Sequence, residues 1–274
     1  MPYGDSGHDE SVIRFSKGHG TGNDFVIVVD VDNDAPLTPA QVARLCDRRM
    51  GIGGDGLLRL VRAGKHPDAV GMAAQAEWFM DYYNADGSTA EMCGNGVRVY
   101  AHALREKGLA APDTLAVATR GGVKTVSRVD GEYSVDIGPV RLGASATATV
   151  SDRRYVGTAA YIPNPHLVCR VDDIDSLDLT SAPRVDPAQF PEGVNVEFVE
   201  PVAAGIRMRV YERGVGETLS CGTGACAAAA VAVNSQGECI VDVPGGRLTV
   251  TVTPDTIHLR GPAAIVAEGT TDLV

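Results

Sequence analysis

The chain has 274 residues, of which 44 % are hydrophobic and 22 % charged, and a formal net charge of -11. It is long enough for one large domain or two small ones with real cores. The acidic balance argues against a nucleic-acid partner, because a phosphate backbone is bound by a basic surface. Residues 1–11 are polar and acidic, without the apolar core of a signal peptide. The longest apolar run, residues 225–233, is too short to cross a bilayer. The sequence therefore reads as a cytoplasmic protein with no membrane partner. Six cysteines (Cys46, Cys93, Cys169, Cys221, Cys226, Cys239) without export signal read as reduced thiols, and no Cys-x-x-Cys marks a zinc ribbon or redox pair, so no metal is expected.

In chain order, residues 25–30 form a β-branched run that reads as a strand. Thr38-Pro39 supplies a cap and a first-turn proline for a helix over residues 39–49. Residues 57–62 and 77–83 read as strands, and Val97, Ala101 and Leu104 give residues 97–107 a helical apolar face. Residues 123–129 and 132–137 flank Asp130-Gly131, a strong hairpin signal. Residues 138–149 read as a crossover between two halves. Beyond it, Ile206, Met208 and Val210 alternate with arginines as in a half-buried strand. Residues 247–253 and 256–260 flank Pro254-Asp255 as a second hairpin, and residues 225–233, apolar on every side, read as a buried central helix.

Two motifs carry chemistry. Cys93-Gly94-Asn95-Gly96 and Cys221-Gly222-Thr223-Gly224 stand 128 residues apart, each with a tyrosine ten positions before its cysteine (Tyr83, Tyr211) and a residue able to bind an amine next to that tyrosine (Asn84, Glu212). Two further blocks repeat with them: Gly22-Asn23-Asp24-Phe25 with Pro163-Asn164-Pro165-His166, and Gly51-Ile52-Gly53-Gly54-Asp55 with Gly193-Val194-Asn195-Val196-Glu197. The repeated order predicts a pseudo-twofold molecule, with a helix wrapped by strands in each half.

A cysteine at a helix start sits among unpaired N–H groups and the positive end of the helix dipole, which lower its pKa from about 8.5. The glycines let the backbone approach a ligand, so each turn is suited to hold a carboxylate as well as a thiolate. Two such turns face to face would flank the carbon next to that carboxylate. One thiolate then removes the α-proton and the opposite thiol returns a proton to the other face, inverting the centre. Most cysteines are buried small hydrophobes, which is the reading for Cys46, Cys169, Cys226 and Cys239, and an isolated Cys-Gly-x-Gly is more often structural as well. Duplication is what moves Cys93 and Cys221 towards catalysis. A lone asparagine is usually a turn or cap, and Asn23, Asn164 and Asn195 gain weight only from their matched blocks. His166 alone is as readily structural as functional.

The segments Asn-Ala-Asp-Gly-Ser-x-x-x-x-Cys-Gly-Asn-Gly (residues 84–96) and Tyr-Glu-Arg-Gly-x-Gly-Glu-Thr-x-x-Cys-Gly-Thr-Gly-Ala-Cys (residues 211–226) resemble the two signatures of the diaminopimelate epimerase family. Gly22-Asn23-Asp24-Phe25, Asp47-Arg48-Arg49-x-Gly51-Ile52-Gly53, Asn164-Pro165-His166 and Val194-Asn195-Val196 match as well, so the resemblance runs from about Ile13 to Glu268. It implies an α/β (α+β) fold of two pseudo-symmetric halves, each a curled, mostly antiparallel sheet around a central helix, with the active site in the cleft between them. The halves would be residues 1–138, carrying Cys93, and 139–264, carrying Cys221, with 265–274 packing as a final strand on the first.

The resemblance also implies cofactor-independent epimerisation of LL- to meso-diaminopimelate, in lysine and peptidoglycan-precursor synthesis, with Cys93 and Cys221 as the acid/base pair. Gly94-Asn95 and Gly222-Thr223 would hold the reacting carboxylate on backbone N–H groups. Asn23, Asn84, Asn164, Asn195, Glu212 and Arg213 would bind the remaining polar groups, and His166 and Glu212 would tune the thiols. Dimers are common in the family, so a homodimer is the expected assembly. One position departs: some members carry a glutamine where this chain has Gly56. A proline or hydroxyproline racemase of the same fold is the nearest rival, but its substrate has no distal charged end for the asparagine and arginine set. A pyridoxal-phosphate racemase needs a Schiff-base lysine, and Lys17, Lys65, Lys107 and Lys124 all lie outside the duplicated blocks.

Overall fold

The computed structural model describes residues 12–234 and 236–273; the polar stretch 1–11 lies outside them. In the first half, β1 (Ile13–Gly20) and β2 (Asn23–Val29) form an antiparallel hairpin. Its two-residue loop places Thr21 and Gly22 at φ of 50° and 82°, the left-handed geometry that matches strand twist. α1 (Pro39–Cys46) opens with a capping box between Thr38 and Gln41, with Pro39 in its first turn. It stops three residues short of Arg49. The Asp47 carboxylate accepts the N–H groups of Arg49 and Met50, which turns the chain there. Then follow β3 (Gly56–Arg62), β4 (Trp78–Asn84), α2 (Gly94–Glu106), β5 (Thr114–Thr119), β6 (Gly122–Val129) and β7 (Glu132–Gly138).

The connecting segment expected as a crossover is itself a strand, β8 (Arg141–Val150). After it come β9 (Arg153–Ile162), β10 (Asn164–Arg170), β11 (Arg184–Val185), β12 (Asn195–Val202), β13 (Gly205–Glu212), β14 (Gly216–Thr218), α3 (Gly222–Ala232), β15 (Gly237–Val243), β16 (Gly246–Val252), β17 (Ile257–Gly261) and β18 (Ala264–Thr271).

Strand pairing exposes the duplication more clearly than the sequence does. β1–β2 is antiparallel, β2–β3 parallel, β3–β4 antiparallel, β4–β5 parallel, and β5–β6 and β6–β7 antiparallel. The series β9, β10, β12, β13, β15, β16, β17 repeats those directions step for step. In both, the second parallel step is the crossover that carries the central helix, as a parallel connection requires. The two halves also trade strands: β8, which follows the first series, pairs with β9, and β18, which follows the second, pairs with β1. β7 and β17 join the halves directly.

Each helix is central to its half. Ala225, Cys226, Ala227, Ala228, Ala229 and Ala230 of α3 are fully buried, so the helix has no solvent face, and small side chains let the surrounding strands close in. α2 is larger in cross-section, burying Val97, Val99, Tyr100 and Leu104 together with the charged Arg98. The fold is thus mixed α+β: few helices, each enclosed by a large curled sheet.

Candidate active site

Register lets the two halves be superposed residue by residue. Phe25 lies opposite Gly56, which lies opposite Asn84. In the second half His166 lies opposite Asn195, and Val196 opposite Tyr211, which sets Asn195 level with Glu212. Asn84 therefore corresponds to Glu212, Phe25 to His166, Gly56 to Asn195 and Leu58 to Glu197. The glycine blocks align differently from the sequence reading: Gly193 corresponds to Gly54 rather than Gly51, because β3 begins three residues further along its block than β12 does.

Cys93 and Cys221 are the N-cap residues of α2 and α3. Both have extended backbone, and both thiols accept the N–H three residues on, from Gly96 and Gly224, at 3.4 Å. That leaves the first N–H groups of each helix, on Gly94-Asn95 and Gly222-Thr223, without a carbonyl partner in the helix, with the Asn95 N–H also favouring the Cys93 thiolate. The two helix starts abut. A Cβ built on Gly94 would lie 4.0 Å from the Gly222 Cα, and one on Gly222 would lie 3.5 Å from the Asn95 backbone N. Both glycines are packed under Leu259, whose side chain a Cβ on Gly94 or Gly222 would meet at 3.2 or 3.1 Å. The Asn95 side chain stitches the halves together by donating to the Ser220 carbonyl and hydroxyl, each at 3.3 Å. Ser220 in turn bonds Thr21, which accepts from the buried Arg98.

Around Cys93, its Sγ lies 3.4 Å from the Asn23 Oδ1, and the Asn23 amide donates to Asp55 at 2.8 Å. Arg48 grips Asp24 with both guanidinium nitrogens and reaches Asp55 at 2.7 Å. Asn84 accepts from the Tyr82 hydroxyl and donates to Ser88. At Gly56 a side chain has no room: its Cβ would stand 2.4 Å from the Tyr83 carbonyl and 2.8 Å from the Tyr82 ring.

Around Cys221 the furniture is different. The thiol lies 3.6 Å from the Thr223 hydroxyl. His166, fully buried, contacts Glu197 through Nδ1 at 2.7 Å and the Asn164 Oδ1 through Nε2 at 3.0 Å. Asn195 spends its amide on backbone, donating to the Pro165 carbonyl and accepting the Arg213 N–H. The Arg213 guanidinium is exposed and bonds the Glu192 carbonyl. Glu212 accepts the Thr218 hydroxyl.

Charge at the two thiols differs from the sequence expectation. Burial pushes the Cys93 thiol up to about 11; the Gly96 N–H and Arg98 oppose this, and Glu212 adds to it. Cys221 is raised as well, by burial first and then by Glu212 and Glu197, against the Thr223 hydroxyl and the Gly224 N–H. The helix starts do favour thiolates, but desolvation wins. Both thiols therefore hold their protons at neutral pH in the ligand-free protein. Burial likewise raises the Glu212 carboxyl, although Thr218 pulls it down. Glu197, Asp55, Ser220 and Tyr82 were not singled out by sequence. Glu197 stood in a quoted block, two residues from Asn195 and so on the same strand face.

Two curled half-sheets, each around a central helix, define a duplicated α+β fold shared with solved structures. A phenazine biosynthesis protein of the PhzF family from Bacillus anthracis superposes with a TM-score of 0.69 at 18 % identity, covering 95 % of this chain and 99 % of that one. A hydroxyproline epimerase from Agrobacterium vitis gives 0.67 at 13 % identity, covering 96 % and 93 %. Sequence narrows the class. The diaminopimelate epimerase profile matches residues 15–143 and 158–266, and the chain belongs to that family. Relatives named diaminopimelate epimerase include that of Streptomyces coelicolor, 52 % identical over 95 % of this chain and 96 % of its own length. That of Thermobifida fusca is 50 % identical over 94 % and 97 %.

Proposed function

We propose that this chain interconverts LL- and meso-diaminopimelate by moving a proton on and off the α-carbon between Cys93 and Cys221, without a cofactor. The observation that carries this reading is the pair of abutting helix starts, each capped by its own cysteine. The α-carboxylate is held by the first-turn N–H groups of Gly94, Asn95, Gly222 and Thr223, the donors left over once Gly96 and Gly224 bond the thiols. Those donors also stabilise the charge that builds on the carboxylate as the α-proton leaves. The substrate α-ammonium brings positive charge beside two thiols with raised pKa and a buried Glu212, lowering the cost of ionising one sulfur. The thiolate takes the α-proton, and the opposite thiol delivers its own to the other face.

Asn23, Asn84, Asn164, Asn195, Glu212 and Arg213 bind the remaining polar groups of the substrate, including its distal amino-acid end, and His166 and Glu212 tune the thiols. The division into residues 1–138 and 139–264, with 265–274 returning to the first half, belongs to the same proposal; it is supported by the pairing of β18 with β1 and of β8 with β9. So do a cytoplasmic location and a homodimer, the latter readable by sedimentation. Among the described residues no helix is long and apolar enough to cross a membrane.

The test is a cofactor-free assay with LL-diaminopimelate in deuterated water. Deuterium should appear at the α-carbon as the meso isomer forms, while proline is left unchanged. Binding without deuterium entry would overturn the reading in favour of a carboxylate-binding protein, and turnover of proline in preference would favour a proline racemase.

A further inference from the structure

Glu197 is absent from the machinery just described, yet it is fully buried beside it. Its Oε1 meets His166 at 2.7 Å, and its Oε2 has no hydrogen-bond partner. The carboxylate also presses on the first turn of α3: a Cβ built on Gly224, whose N–H caps Cys221, would stand 2.7 Å from the Glu197 Oε1. A buried carboxylate is costly unless paired, so its presence calls for a reason. The fold does not supply one, because the corresponding pair in the first half is Phe25 and Leu58, both fully buried and apolar. The same framework is thus filled by hydrocarbon behind Cys93 and by an acid–imidazole pair behind Cys221.

We propose that Glu197 is a positioning residue that, locked by His166 beneath the first turn of α3, makes Cys221 the thiol that keeps its proton when substrate binding drives one of the pair to release its proton to solvent. The inference rests on Cys93 and Cys221 being the acid/base pair. His166 clamps the carboxylate in place, and the carboxylate fixes which imidazole nitrogen faces it, leaving Nε2 to Asn164. The titratable groups that act on Glu197 are His166 and Cys169 from β10, Glu212 from β13 and Cys221 from the start of α3. Glu212 bears on both cysteines, whereas Glu197 adds its charge on the Cys221 side only. In a two-base exchange one sulfur must begin ionised and the other protonated. A fixed negative charge behind one of them decides which.

The test reads each thiol separately. The rates of iodoacetamide alkylation of Cys93 and Cys221 are followed by mass spectrometry of peptides across pH, in the wild type and in Glu197→Gln, which keeps size and polarity and removes charge. The expected result is a Cys221 midpoint lower by about one pH unit, a roughly tenfold faster alkylation at fixed pH below it, with Cys93 changed less than about twofold. A Cys221 midpoint that stays put, or two midpoints that move together, overturns the proposal. Because Glu197→Gln can fail to fold, the pair His166→Phe with Glu197→Leu, which installs the side chains of the first half, serves as the second variant. It should likewise narrow the gap between the two midpoints; an unchanged or widened gap overturns the idea. Alkylation does not depend on turnover. Loss of the acid/base reading would show in cysteine variants that stay active, and loss of this inference would show only here.

Discussion

The Cys93 and Cys221 helix starts agree in every backbone feature and differ in almost every side chain behind it. Both cysteines cap their helices through the N–H three residues on, and both helices begin with a glycine packed against Leu259. Behind Cys93 lie an aromatic ring and a chain of polar contacts through Asn23, Asp55 and the exposed Arg48. Behind Cys221 lie a buried imidazole and a buried carboxylate. Duplication has preserved what holds a carboxylate and a sulfur, and has let the two sulfurs acquire different surroundings. A proton acceptor and a proton donor need equivalent positions on opposite faces of the α-carbon, but different protonation states.

The comparison breaks most simply at the thiols. Cys93→Ala and Cys221→Ala should each abolish epimerisation, by at least about a thousandfold, in proteins whose circular dichroism and melting are those of the wild type. Serine at either position should be nearly as damaging, since its hydroxyl is a far weaker acid. An active single variant would mean that the halves do not share the reaction.

Next in size is a methyl group on the third helical residue. Gly224→Ala drives a Cβ to 2.7 Å from Glu197 and 3.2 Å from the Cys221 Cβ, whereas Gly96→Ala meets its nearest atoms, in Cys93 and Phe25, at 3.3 and 3.4 Å. Gly224→Ala should cost about 1–3 kcal/mol of stability. Gly96→Ala should fall within about 1 kcal/mol of the wild type, because alanine is the better helix former. Chemical denaturation separates the two, and equal losses would erase the asymmetry. Smaller again, Asp55→Ala removes the acceptor that orients Asn23, and Arg213→Ala removes a guanidinium at the mouth of the other half. Each should raise KM by about tenfold with kcat little changed, the signature of binding lost equally in ground and transition states. A fall in kcat without a change in KM would contradict the distal role.

The smallest effect is on stability at alkaline pH. Burial raises Cys46 and Cys93 to about 11 and Cys169 and Cys226 to about 12. Below about 8.5 the thiols are protonated in both folded and unfolded chains and do not affect the balance. As pH climbs from there to about 11 the unfolded chain loses these protons and the folded one keeps them, so stability falls. Melting temperature should be level up to pH 8 and decline from pH 9 to 11, with a shallower decline in Cys226→Ala.

Much of this was legible in the residues. α1 announced itself through Thr38-Pro39, and the hairpin at Asp130-Gly131 formed as read. The alanine run of α3 showed by composition that it had no outer face. β8 was less visible, since its buried positions are mostly small, Ala146 and Ala148 before Val150, which gives alternation too little contrast to stand out from a linker. Glu197 stood in a block matched for its asparagine. Its partner His166 is 31 positions away on a parallel strand, so only register brings them together. The thiol acidities were misjudged because a helix start can be read from sequence, whereas the depth at which it is buried cannot.

Ile13 finds its cross-strand partner in Thr271, almost the whole chain away. On a ribosome, β1 is therefore made first and completed last, and until β18 arrives one of its sides is an unpaired row of amides and carbonyls. Contacts of such long sequence separation slow folding, and an open strand edge is a template for other chains. That edge stays open until β18 emerges, and a truncation of β18 would make the transient hazard permanent.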